Sequence, residues 1–172
     1  KQKKENTMRN AAIIPKKIYS LNGLKHAVEV WKFLGKKIAF TNGVFDILHQ
    51  GHIYSLSQAA QEADVLIVGV NADSSVKRLN KGPERPINDQ DSRAILLASM
   101  IMVDAVIIFE EDTPYELITM IMPDVLVKGG DYRVEQVVGH QEVLAAGGQV
   151  IINPIVEGFS TTGLISRMRE TK

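Results

Sequence analysis

Two rhythms of apolar and polar residues alternate along this chain. Short unbroken apolar runs at 37–41, 64–70, 105–109, 124–128 and 149–153 predict buried strands. Between them, apolar positions recur at helical spacing. Ile53, Leu56, Ala59, Ala60 and Ala63 do so in 50–62, and further helices are predicted near 73–79, at 89–101, 114–122, 135–146 and 160–170. An earlier stripe, Leu21, Leu24, Ala27, Val28, Trp31 and Leu34, predicts a helix capped by Ser20 and ended by Gly35. Thr113 before Pro114 marks a helix start, Pro123 its end, and Gly147-Gly148 the end of the next. Strand and helix in strict alternation predict an α/β protein, a three-layer α/β/α sandwich around a five-stranded parallel sheet.

Length and charge narrow this picture. The chain has 172 residues, enough for one domain with a full core, predicted over 20–172. Residues 1–19 carry five lysines and one arginine before Ile18, and predict a flexible or loosely docked extension. Twenty basic residues balance twenty acidic ones, so bulk charge points to neither nucleic acid nor a membrane surface as partner. The chain has no cysteine, which excludes disulfides and thiolate metal sites and fits a reducing cytoplasm. No apolar run reaches the roughly 18 residues of a membrane span, and the start is polar, so a cytoplasmic protein is expected. The apolar stripe of 21–34 fits the core, and a homodimer contact would use the same residues.

The stretch Phe40-Thr41-Asn42-Gly43-Val44-Phe45-Asp46-Ile47-Leu48-His49-Gln50-Gly51-His52 carries the candidate chemistry. An apolar run stops, a glycine turn follows, and two of the chain's four histidines open a helix. Spacing i,i+3 allows both rings onto one face of the first turn. A helix start offers unpaired N–H groups, and Gly51 allows close approach to the backbone. A single histidine at a helix start is ordinarily a cap or surface residue. Two in one H-x-G-H word at a strand-to-helix junction suit a phosphate.

Ligands of open α/β sheets sit at the carboxyl ends of the strands. After the second strand come Asn71, Asp73, Lys77, Lys81 and Arg85, where a solvated basic loop is the ordinary reading and a phosphate grip the alternative. Arg93 lies in the first turn of a helix, opposing its dipole, and so calls for an anionic partner, either a phosphate or an acidic side chain. Lys128 leaves an apolar strand into Gly129-Gly130-Asp131-Tyr132, and Ser160-Thr161-Thr162 opens another helix with three hydroxyls. No P-loop, G-x-G-x-x-G turn or H-E-x-x-H word is present.

These words together resemble the H-x-G-H nucleotidyltransferases, the cytidylyltransferase-like family, and within it the adenylyltransferases of bacterial ADP-heptose synthesis. The resemblance rests on 41–49, Val70-Asn71-Ala72-Asp73, Arg85-Pro86, Phe109-Glu110-Glu111-Asp112-Thr113-Pro114, Leu126-Val127-Lys128-Gly129-Gly130-Asp131-Tyr132 and Ser160-Thr161-Thr162. It implies a Rossmann-like sandwich of nucleotidyltransferase type and transfer of AMP from ATP to D-glycero-beta-D-manno-heptose 1-phosphate, releasing pyrophosphate, for lipopolysaccharide or another surface glycan. The relative acting with CTP on glycerol 3-phosphate or ethanolamine phosphate is the alternative. In many bacteria such a domain follows a sugar kinase, so a separate kinase is expected if this chain is complete. The resemblance further implies His49, His52 and Lys128 as catalytic residues. The nucleotide would meet Thr41, Asn42, Gly43, Phe45, Gly51, His52, Lys128, Asp131, Ser160, Thr161 and Thr162. Asp46, Asn71, Asp73, Lys77, Lys81, Arg85 and Arg93 would serve the substrate and phosphates. Mg²⁺ would be bound mainly through nucleotide phosphates, with no protein metal site.

Overall fold

The computed structural model describes residues 11–79, 82 and 84–154. All five expected strands are present: β2 (Ile38–Gly43), β3 (Val65–Asn71), β4 (Ala105–Phe109), β5 (Val125–Gly129) and β6 (Gln149–Asn153). A sixth, β1 (Ile18–Tyr19), pairs in parallel with Val106 and Ile107 of β4, so the sheet is six-stranded in the order β1-β4-β3-β2-β5-β6. Two residues are too few to show periodicity, which is why the sequence pattern stops at five. Residues 11–19 are correspondingly not a loose extension. Lys17 donates its ammonium to the carbonyls of Met100 (3.2 Å) and Val103 (2.7 Å), and Ile14 and Ile18 pack on the core.

The helices are α1 (Leu21–Phe33), α2 (Gln50–Gln61), α3 (Asp73–Arg78), α4 (Gln90–Ala98), α5 (Tyr115–Ile121) and α6 (His140–Ala145). Their ends follow local chemistry. Ser20 accepts the Gly23 N–H at 3.2 Å and Asp89 that of Ser92 at 2.7 Å, satisfying helix-start donors. Pro114, not Thr113, occupies the cap of α5, and Met122 closes that helix in the left-handed conformation. The predicted helix over 135–146 is interrupted: a 3-10 turn (Val134–Gln136) precedes α6, because Gly139 turns the chain at φ 79°. The expected helix at 160–170 lies outside the described residues.

Side chains alternate across the sheet as the pleat requires. Ile38, Phe40, Val65 and Ile67 meet Leu24 and Val28 of α1 and Leu117, Ile118 and Ile121 of α5. Ala39, Leu66, Val68 and Val70 meet Leu56 and Ala59 of α2 and Ala94, Leu97 and Ala98 of α4. Burying each Leu, Ile or Phe of these two layers contributes roughly 1.5–3 kcal/mol. Three aspartates fix the strand starts: Asp64 accepts the Lys37 N–H (2.9 Å), Asp124 that of Ile38 (2.7 Å) and Asp104 that of Leu66 (2.8 Å). Each stands just before one strand and takes the first free donor of its neighbour. Register is thereby set at the end opposite the site.

Strand order reverses at β2. The connection through α2 leads to β3 on one side, whereas that through α5 leads to β5 on the other. Right-handed crossovers taken in opposite directions put their helices on opposite faces. The carboxyl ends of β2 and β5 therefore border a crevice.

The packing of 11–19 is testable. Ile18→Asp should lower stability by about 2 kcal/mol, through lost burial and a charge against the core. Urea unfolding would measure it, and an unchanged midpoint would restore the loose-extension reading.

Candidate active site

From the end of β2 the chain turns through Val44, Phe45 and Asp46. Phe45 adopts φ 52°, unusual for a residue with a Cβ. This conformation folds its ring over Gly43, where a Cβ would lie 3.1 Å from it, and against His52, with ring centroids 5.3 Å apart. Gly43 thus makes room for this ring, and Phe45, 8% exposed, supports a histidine.

His49 caps α2 and His52 follows one turn on. Their rings stack at 3.8 Å with a 26° interplanar angle. The His49 N–H donates to Nδ1 of His52 at 3.4 Å, and an accepting Nδ1 places the proton of the neutral ring on Nε2. Burial holds His52 at a pKa of about 4, down from 6.5, with the charges of His49 and Arg85 adding to the effect. Burial also lowers His49. Both imidazoles are neutral at pH 7 in the absence of a ligand. Lys128, from the end of β5, donates to the Asn42 side-chain oxygen at 3.2 Å and lies 5.8 Å from the centre of the Tyr132 ring.

Behind the turn is a buried polar lattice. Asp46, 1% exposed, accepts from Arg85 Nε (2.9 Å) and from the Ile87 (2.8 Å) and Asn88 (3.0 Å) N–H groups. Arg93 is fully buried and donates to the carbonyls of Val44 (2.6 Å) and Asn88 (3.0 Å) and to Asp73 (2.7 Å). Asp46, Asp73 and Arg93 therefore hold neighbouring loops together. The anionic partner that Arg93 calls for is Asp73. Arg85 is fixed through its Nε, on the Asp46 side, close enough to His52 to depress its protonation.

Thr41 is buried in β2, Asn71 donates to Ser75 at 3.0 Å, Gly51 is half-buried in the first turn of α2, and Asp131 and Lys77 are exposed. Lys81, Ser160, Thr161 and Thr162 lie outside the described residues. A cavity of about 250 Å³ opens beside this site, among Asn42, Asn71, Thr113, Lys128, Gln136 and Val137. Sequence reasoning missed Thr113, Gln136 and Val137; only the first gave a signal, as a supposed cap. A larger cavity of about 440 Å³ lies at the β1–β4 edge, but Glu110, Glu111 and Glu116 line it and, among the described residues, no cation does, which disfavours an anion. Among the described residues no cluster of His, Asp and Glu could hold a metal ion, and no helix is long and apolar enough to cross a membrane.

A parallel sheet with its reversal at β2, and an H-x-G-H helix start at that reversal, define a nucleotidyltransferase-type α/β fold. The chain belongs to the cytidylyltransferase-like family, whose model matches residues 40–167. It is 56% identical over 147 residues to the bifunctional protein HldE of Rhodopseudomonas palustris, covering 86% of this chain and 30% of that protein. To the protein of the same name from Caulobacter vibrioides it is 52% identical over 152 residues, covering 88% of this chain and 31% of that one. The chain thus spans less than a third of the length of these curated relatives. Among solved structures, the lipopolysaccharide core biosynthesis protein of Thermoplasma volcanium is similar, with TM-score 0.59, 29% identity and coverage of 71% of this chain and 98% of that one. The pantoate-beta-alanine ligase of Francisella tularensis shares the fold, with TM-score 0.54, 17% identity and coverage of 80% and 66%.

Two predictions test this geometry. In the unfolded chain His52 has its ordinary pKa of 6.5 and in the folded protein about 4, so between these values the unfolded state binds more protons. Stability should be fully held above pH 6.5 and fall as pH drops toward 4. The loss should be smaller in His52→Gln, measured as urea midpoints at pH 7 and 4.5; an equal loss would contradict a neutral buried ring. Asp46→Asn removes the ion pair with Arg85 and turns one acceptor into a donor, and should cost about 2–4 kcal/mol in the same assay.

Proposed function

We propose that this chain is an adenylyltransferase that transfers AMP from ATP to D-glycero-beta-D-manno-heptose 1-phosphate, giving ADP-heptose and pyrophosphate for surface glycan synthesis. The observation that carries the reading is the stacked His49–His52 pair at the strand-order reversal, with Lys128 at the end of the adjoining strand β5, in a chain more than half identical to part of HldE.

In this reading the sugar phosphate oxygen attacks the α-phosphorus of ATP. A new O–P bond forms, the α–β bridging P–O bond breaks, and pyrophosphate leaves with the electron pair. Such a transfer requires positioning and charge stabilisation more than a protein nucleophile. His52 donates through Nε2 to an α-phosphate oxygen, in the orientation its Nδ1 contact imposes. His49, stacked beside it, donates to the same phosphate group. Neutral rings in the free site avoid repelling each other, and the arriving polyphosphate raises their pKa. Arg85, anchored by Asp46, and Lys128, anchored by Asn42, supply fixed positive charge, while Lys77, Lys81 and the Ser160-Thr161-Thr162 segment contact the leaving phosphates. Asn42 and Gly43 border the α-phosphate. Asp131 serves the nucleotide side, and Gly51 keeps the backbone open to it. Mg²⁺, bound mainly through the nucleotide phosphates, would supply charge neutralisation there. A cytoplasmic enzyme, with the sugar phosphate made by a kinase, fits the substrates.

The test is a pyrophosphate-release screen of four NTPs against heptose, hexose and polyol phosphates with Mg²⁺. Turnover with ATP and the heptose phosphate is expected. Turnover with CTP and glycerol 3-phosphate alone would overturn the reading. His49→Ala and His52→Ala should each lower kcat by about 10²-fold or more while the circular dichroism spectrum is kept; full activity of either would remove it from the catalytic site.

A further inference from the structure

The helix that carries His49 and His52 follows β2 in the chain, yet its second turn rests on the carboxyl ends of β5 and β6. Asn153, the last residue of β6, is 5% exposed and donates its side-chain N–H to the Ser55 carbonyl at 3.1 Å, across 98 residues of sequence. Its own carbonyl accepts the Gly130 N–H at 3.0 Å, and it stands in register with Gly129 of β5. One buried residue thus joins β6, the end of β5 and α2. Gly129 shows how closely the helix is seated. A Cβ placed there would lie 3.0 Å from Ser55 Oγ and 3.9 Å from Ser55 Cβ, the first tighter than van der Waals contact and the second ordinary. Gly130, at φ 128°, has a backbone that favours glycine, whereas Gly129 is not among the positive-φ positions. What calls for glycine at 129 is the approach of the helix.

This seat lies between the two sets of candidate catalytic groups. Ser55 is three residues beyond His52, so the two share one face of α2. Gly129 directly follows Lys128, and side chains alternate across a strand, so position 129 faces Ser55 while Lys128 leaves on the opposite face, where it meets Asn42. Strand pairing does not fix the spacing of these groups, because the β2–β5 register ends at Thr41 and Val127, before Asn42 and Lys128. Groups that act on one phosphate have to be held closely, since a misplacement of about 1 Å can cost about 10²-fold in rate.

We infer that Asn153 and Gly129 are positioning residues for the reaction: the side-chain bond of the one and the missing Cβ of the other seat the second turn of α2, and so set where His49 and His52 stand relative to Lys128. The inference rests on the adenylyltransferase reading above and extends it to residues that act through α2. Asn153→Leu keeps the size of the side chain and removes the donor, and Gly129→Ala presses on Ser55 Oγ. Each should lower kcat about tenfold while the circular dichroism spectrum is kept. Adding Ser55→Ala, which takes away the atom at 3.0 Å and leaves the one at 3.9 Å, should bring Gly129→Ala back to within about twofold of the parent protein. Because the seat acts through the histidines, Asn153→Leu should bring no further loss in a His52→Ala background, where two independent losses would multiply. Unchanged kcat in either single variant, a multiplied loss in the His52→Ala background, or a Gly129→Ala defect that Ser55→Ala does not restore overturns the inference and leaves the enzyme reading standing. If Asn153→Leu does not fold, the Gly129→Ala and Ser55→Ala pair decides alone. A parent protein without turnover on any sugar 1-phosphate overturns the enzyme reading, and the seat is then judged by NMR titration of His52. Its midpoint of about 4 should move up toward 6.5 in Gly129→Ala as the helix is displaced, and an unmoved midpoint overturns the seat as well.

Discussion

Arg93 is a fully buried cation, and the site is arranged around satisfying it. A guanidinium taken out of water is tolerated only when its donors meet well-placed acceptors. Here they are two backbone carbonyls and one carboxylate, contributed by the β2–α2 turn, the loop before α4 and the start of α3. Asp46 repeats the arrangement with opposite sign, a buried carboxylate met by one guanidinium and two N–H groups. Cation and anion together hold three loops that no strand pairing joins. The cost of leaving either charge unmatched makes their mutual position stiff.

That stiffness carries through to the histidine pair. Phe45 sits in a strained left-handed conformation between Gly43 and His52, and a strained residue persists only where its surroundings over-determine it. The Val44 carbonyl held by Arg93 and the Asp46 carboxylate held by Arg85 flank Phe45 on both sides. Its ring in turn packs against His52, which a backbone N–H orients through Nδ1. The chain of contacts runs from a buried ion pair to the direction of one imidazole N–H. Depressed pKa values follow from the same burial, so the free site is a set of neutral donors beside two anchored cations.

Sheet order supplies the second constraint. Because β2 is flanked by β3 and β5, its carboxyl end faces helices on both layers. The reversal of strand order there opens a crevice with one surface toward each helix layer. The acidic cavity at the β1–β4 edge, though larger, has no such reversal and, among the described residues, no cation.

The sequence determined the five long strands, most of the helices and the H-x-G-H junction by itself, since apolar period, caps and glycine turns act over a few neighbours. Ser20 and Asp89 show this directly, each bonding an N–H three residues ahead. Sequence also showed that Arg93 needed an anion, because a cation in a first helical turn opposes the dipole. Only the tertiary structure decided which anion: Asp73, twenty residues earlier, while the Val44 carbonyl is forty-nine residues away. The partners of Asp46 at 85–88 were likewise invisible locally. The two-residue strand β1 has no period to read, and it exists because β4 offers it an edge. The cavity gathers Asn42 and Asn71 from the ends of β2 and β3, and Thr113 and Gln136 from the connections that follow β4 and β5. Convergence of that kind is a property of strand order, and strand order comes from packing helices on both faces of one twisted sheet.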